Sequence, residues 1–101
     1  MRYYEWDPAK AAANLRKHGV RFETALAIFA DPNAVTAQDR VENFEQRWQT
    51  LGLVDGVTIL MVIHSEDDDD GDEIVRIISA RRATPRERTR YDQAAGSSFT
   101  R

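Results

Sequence analysis

VTILMVIHSEDDDDGDEIVRIISARR, residues Val57 to Arg82, decides how this chain folds. Two apolar runs rich in Val and Ile, VTILMVIH and IVRIISARR, each have strand length and flank a short acidic segment. The simplest arrangement is an antiparallel pair at the centre of a small sheet, with the acidic segment as its exposed loop. The second run carries Arg76 inside it and Arg81 and Arg82 at its exit, and guanidinium groups so placed suit carboxylates or phosphates. Strict alternation sends Arg81 and Arg82 to opposite faces, and Arg81 to the face opposite Arg76. Only twist or a bulge could bring Arg76 and Arg81 together.

Upstream of this pair, Arg2 to Glu5 reads as a short strand. Asp7-Pro8 is a helix start, with Asp7 as cap and Pro8 at the first helical position. The Ala-rich stretch to Lys17 continues the helix, and His18-Gly19 closes it. A second helix is expected over Phe22 to Ala30, ended by Asp31-Pro32-Asn33. Val35, Ala37 and Val41 suggest a short strand with a turn or bend at Asp39-Arg40. Phe44 to Leu51 suits either helix or strand by composition. Alternation favours strand, with Glu45, Arg47, Gln49 and Leu51 on one face. Downstream, Thr84-Pro85 and Glu87 form a capping-box start to a last helix running to Ala95, with residues 96–101 as a frayed tail. The expected fold is α+β: a small twisted antiparallel sheet, two N-terminal helices packed on one face, and a C-terminal helix.

At 101 residues the chain is expected to form one domain, 1–101. It has no cysteine, which removes disulfides, thiolate chemistry and Cys-based zinc sites. No apolar run reaches membrane-spanning length, and Trp6-Asp7-Pro8 sits where a signal peptide would place its apolar core. A cytoplasmic protein with no membrane partner is therefore expected. The net charge of -3 argues against broad duplex-DNA binding by this chain alone, although the charges are segregated. From Glu66 to Glu73 every residue except Gly71 is acidic, whereas Arg76, Arg81, Arg82, Arg86, Arg88 and Arg90 make the C-terminal part basic.

A calcium-loop pattern begun at Glu66 matches Asp68, Asp70 and Gly71 but puts Ile77 where a bidentate Glu is required. No metal and no cofactor are expected. His64 ends the first central strand, with an intrinsic pKa suited to proton transfer. The bland reading of the acidic run is a solvated loop, that of Glu45 with Arg47 a surface ion pair, and that of Arg81 a clasp to Glu87 or Asp92. The sequence carries no nucleophilic triad order and no phosphate-cradling glycine loop. What these residues could catalyse without a metal is RNA cleavage by internal attack of the 2′-hydroxyl.

YEWDPAKAAANLRKHGVRFETALAIFADP, then Gly52-Leu53-Val54-Asp55-Gly56, then RIISARRATPRERTRYD, together resemble the BrnT family of type II toxin–antitoxin systems. The resemblance runs from about Tyr4 to Asp92. It implies a RelE-like α+β ribonuclease that inhibits translation by cutting RNA. The implied partner is a BrnA-like ribbon-helix-helix antitoxin, with operator DNA reached only through that antitoxin. It also implies active-surface positions at Arg47, Arg76 and Arg81, with Glu45 beside them, and His64 completes the candidate catalytic set. The departure is the acidic run after His64, where relatives carry Thr and a basic residue. Negative charge there opposes RNA binding, so the alternative is a catalytically weak homologue acting as an antitoxin-binding co-regulator.

Overall fold

The computed structural model describes the backbone of residues 1–99 and the side chains of residues 1–95. The elements are β1 (Arg2–Glu5), α1 (Pro8–His18), α2 (Phe22–Ala25), a 3-10 helix (Leu26–Ala30), β2 (Val35–Glu42), β3 (Glu45–Val54), β4 (Thr58–Asp69), β5 (Asp72–Arg82) and α3 (Pro85–Phe99). The strands form one sheet in the order β1-β5-β4-β3-β2. Pairing is antiparallel from β2 to β5, and β1 joins the edge parallel to β5, so the sheet is mixed.

The helix signals act as their chemistry dictates. Asp7 accepts the Ala9 amide at 2.8 Å, and Gly19 takes a left-handed φ of 70° while its N–H closes onto the Leu15 carbonyl. Thr84 and Glu87 exchange reciprocal bonds: Thr84 N donates to Glu87 Oε1 at 2.9 Å, and Glu87 N to Thr84 Oγ1 at 3.2 Å. The expected second helix is one α-turn followed by a 3-10 stretch. That tighter path lets Ile28 lie against Gly52, where a Cβ would stand 2.4 Å from the Ile28 Cβ. Gly52 is therefore the gap through which this segment packs on β3.

Two apolar clusters lie on the two faces of the sheet. Phe22, Ala25 and Ile28 pack with Leu60, Val62, Val75, Ile77 and Ala80 on the helix face. On the other face, Leu51 and Met61 pack under Tyr91 of α3, which covers part of that face. The helix face is sealed further by Asn14, which donates to the Val20 and Ala80 carbonyls at 3.0 and 2.9 Å and accepts the Ala80 amide at 3.0 Å.

The acidic segment is not a loop. Glu66 to Asp69 continue β4, Asp72 and Glu73 begin β5, and only Asp70 and Gly71 turn, with φ of 55° and 89°. An Asp-Gly pair at positive φ is a favoured two-residue hairpin turn, a local signal stronger than the charge run around it. Cations at the chain start offset part of the repulsion: the Met1 ammonium lies 3.2 Å from Asp72, and Arg2 lies 3.5 Å from Glu66.

Phe44 likewise belongs to a turn, with Asn43, and not to β3. The bend anticipated at Asp39-Arg40 is a bulge within β2, between Gln38 and Val41. β3 and β4 stay paired from Val54–Thr58 as far as Trp48–His64. Beyond that pair the sheet forks into two ribbons, one ending at Asn43-Phe44 and the other at Asp70-Gly71.

Candidate active site

A bulge on β5 decides which arginines act together. Ile63 pairs with Ser79 but His64 pairs with Ile77, so Ile78 is the unpaired extra residue. One inserted residue reverses the alternation. Val75 and Ile77 face the helices, and so does Ala80, which strict alternation from Ile77 would have turned away. Arg76 and Arg81 consequently share the face that carries α3, while Arg82 turns to the helix side, where it lines a cavity with Leu15 and Leu60. The expectation that Arg76 and Arg81 lie on opposite faces is thus overturned by one residue of register.

Arg47 belongs to this open face as well. It is next to Gln49, which pairs with Ile63 on the same side only one residue from the fork. Glu5, Arg76 and Ser65 are successive partners across β1, β5 and β4, and Arg47 stands at the fork beside Ser65. Two strand spacings put the Arg47 and Arg76 backbones about 10 Å apart, close enough for both long side chains to meet one phosphate. Arg81 lies roughly 15 Å along β5 and would meet a different one. Glu45 shares the strand face of Arg47, as alternation anticipated.

Each of these arginines is already paired. Arg76 meets Glu5 at 2.8 Å, with both side chains about half exposed. Arg47 is 16 % exposed and lies 3.4 Å from Glu42, while its Nε is buried without a hydrogen-bond partner among the described residues. Arg81 forms a bidentate clasp with Glu87, Nη1 to Oε1 at 2.8 Å and Nη2 to Oε2 at 3.0 Å. The hydrogen bonds from Arg81 hold the Glu87 carboxyl down at about 2 against the opposing effect of burial, and the same bonds raise the Arg81 pKa. Clasp and exposed face are one location, because Glu87 begins α3 at the margin of the open face. Glu87, Arg86 and Arg90 line a cavity of about 550 Å³ there with Gln49, whose side-chain oxygen accepts from Arg90 at 2.8 Å.

His64 is the member of the candidate set that the structure sets apart. Its side chain is fully buried on the helix face, edge-on to Phe29 with ring centroids 5.2 Å apart. Its Nε2 shares a 2.8 Å hydrogen bond with Thr50 Oγ1, which lies 2.8 Å from Thr36 Oγ1, a polar row across β4, β3 and β2. Burial and the positive charge of Arg2 push the His64 pKa down to about 4, so the imidazole is neutral at pH 7. Its Nδ1 makes no well-formed hydrogen bond and lies 3.5 Å from Glu66 Oε2.

Glu5 and Glu42 join the site without any signal in the sequence, while Gln49 and Arg90 are legible there only as members of a strand face and a basic run. Helical spacing in α3 places Arg86 and Arg90 on one stripe and could have pointed to the latter. Nothing local identified Glu5 or Glu42, since their roles depend on which strand lies beside them. Asp31 does more than stop a helix. It also accepts Leu53 N at 2.8 Å and the Tyr91 hydroxyl at 2.6 Å, so it ties the 3-10 helix to β3 and α3. Burial and the Asp31 carboxylate push Tyr91 up to about 12. Asp31 itself is lowered although burial opposes it, because bonds from Tyr91, Asn33 and Leu53 favour the anion.

A family model described as the ribonuclease toxin BrnT of type II toxin–antitoxin systems matches residues 6–87. Among solved structures, the chain is similar to the crystal structure of the Brucella abortus ribonuclease toxin BrnT, with a TM-score of 0.65 and 24 % identity. That match covers 83 % of this chain and 99 % of the Brucella one. No curated protein matches. No helix among the described residues is long and apolar enough to cross a membrane.

Proposed function

The chain belongs to the BrnT family of ribonuclease toxins of type II toxin–antitoxin systems, and from that premise we propose that it cuts RNA on the open sheet face. The observation that carries the reading is the Ile78 bulge, which turns Arg76 and Arg81 to the one face where alternation along β3 already holds Arg47. Arg47 and Arg76 flank the scissile phosphate, and Arg81 or Arg90 meets a neighbouring one.

The 2′-oxygen attacks the adjacent phosphorus while its proton passes to the Glu45 carboxylate. The bond to the 5′-oxygen breaks, water protonates the leaving group, and a 2′,3′-cyclic phosphate remains. The guanidinium forks stabilise the extra charge on the pentacoordinate phosphorus, so the step is metal-independent. His64 takes no proton in this scheme; it lies behind the sheet and holds Thr50. The toxin is neutralised by a BrnA-like ribbon-helix-helix antitoxin, which carries any contact with operator DNA.

Incubation with a structured RNA in excess EDTA tests this reading. The expected products end in 2′,3′-cyclic phosphate. Cleavage that disappears with EDTA and returns with magnesium, with RNA folding unchanged, would sink the mechanism. A second reading is favoured by the carboxylates already holding each arginine and by the acidic hairpin beside them. In it the chain cuts RNA weakly or not at all and serves as its antitoxin's binding partner. An intact RNA beside a tight antitoxin complex is its signature.

A further inference from the structure

The helix side of the sheet carries a second arginine site of the opposite character. A cavity of about 300 Å³ lies between the end of α1, α2 and the β3–β4 turn. Leu15, Val20, Val54 and Leu60 form its aliphatic floor, and Arg21 and Arg82 stand at its rim with Asp55. Arg47, Arg76 and Arg81 all have carboxylate partners, yet neither Arg21 nor Arg82 has an ion-pair partner among the described residues. Two guanidinium groups without ion-pair partners among the described residues thus stand over a floor that includes Val20, Val54 and Leu60 of the core cluster.

We propose that this cavity is a docking socket for an acidic, apolar segment of the antitoxin. One carboxylate of that segment sits between Arg21 and Arg82, and a neighbouring aliphatic side chain rests on Leu15 and Leu60. This rests on the toxin reading, because it takes the partner to be a protein antitoxin. Charge complementarity selects the acidic group, since a guanidinium fork binds a carboxylate through two parallel hydrogen bonds. RNA fits less well. The floor offers no aromatic surface on which a base could stack, and a phosphate chain needs a track of cations and not a single socket. Asp55 also suits a peptide, whose backbone N–H groups can donate to it. Because the socket is on the other side of the sheet from the arginine row, an antitoxin segment seated here would leave the active face uncovered. Neutralisation then requires a further contact on the open face, or removal of the toxin into a larger complex.

The test pairs R21E/R82E with R21K/R82K in the full chain, each checked by circular dichroism. The probe is the cognate antitoxin that the toxin reading requires, purified and titrated calorimetrically. R21E/R82E should cleave RNA as the wild type does but lose antitoxin affinity on the order of 30-fold or more, while R21K/R82K, which keeps charge without the fork, should lose less. Unchanged antitoxin affinity in folded R21E/R82E would overturn the socket. Parallel loss of RNA cleavage would overturn it too, by making the cavity a phosphate site. If the wild type binds antitoxin through these arginines but cuts no RNA, the socket stands and the cleavage reading falls.

Discussion

The two faces of the sheet solve opposite problems with the same residue types. On the helix face, polar groups are buried and mostly matched: Asn14 satisfies three backbone atoms, and His64 is neutral and bonded to Thr50 through Nε2, though its Nδ1 has no hydrogen-bond partner among the described residues. On the open face, charged groups are partly solvated and paired at the surface, Arg47 and Arg76 with carboxylates of neighbouring strands and Arg81 with Glu87 of α3. Burial makes a polar mismatch costly, so the first face reports on stability. Exposure makes a charge pair cheap to break, so under the proposed function the second would exchange its carboxylates for phosphates. The difference separates the residues that make the fold from those placed to use it.

The sharpest way to break this division is at Asn14. Asn14→Leu leaves the Val20 carbonyl and both polar backbone atoms of Ala80 unpaired in the core, and should cost about 4 kcal/mol of stability in urea denaturation. A loss under 1 kcal/mol would mean that the helix face tolerates mismatch after all. On the other side, Arg76→Ala should lose about 3 kcal/mol of transition-state stabilisation, read as kcat/KM for RNA, with stability changed by less than about 0.5 kcal/mol. If stability falls and cleavage survives, the open face is structural and the division is wrong.

Gly52→Ala tests packing alone. A Cβ there collides with Ile28, so a destabilisation of about 2 kcal/mol is expected, with cleavage per folded molecule unchanged.

The Arg81–Glu87 clasp sits on the boundary and sharpens the comparison by pH. Glu87 has a folded pKa depressed from 4.5 to about 2. Its contribution is therefore complete above pH 4.5 and is lost as pH falls through 2. Glu87→Gln should lower stability by roughly 1–2 kcal/mol at pH 7, after discounting for the partial exposure of Arg81, and the gap to wild type should close by about pH 2. A gap that persists there would assign the effect to packing and not to charge. In the same protein, Arg81→Lys should lose much of its activity if the guanidinium fork meets phosphate, and little if Arg81 serves α3 alone.

The smallest effect is expected from Glu5→Gln. Freeing Arg76 should raise RNA affinity a few-fold at low salt and change stability by less than about 0.5 kcal/mol. No gain in affinity would show that Arg76 is not restrained by its partner.

The sequence by itself determined the elements, both ends of α1 and the start of α3. Asp7-Pro8, Gly19, Thr84-Pro85-Glu87 and the Val/Ile runs are local instructions, satisfied by a residue's own neighbours. They also placed Glu45 with Arg47 and separated Arg81 from Arg82, because alternation within a strand is local. The Asp70-Gly71 hairpin was equally local, and charge alone disguised it as a loop. Tertiary structure decided the rest. The parallel docking of β1, the carboxylates chosen by Arg47 and Arg76, and the burial of His64 depend on which strand lies alongside. So does the extra residue at Ile78. A bulge is a mismatch in count between two strands, and neither strand carries that count in its own sequence. That single mismatch puts Arg81 on the same face as Arg76.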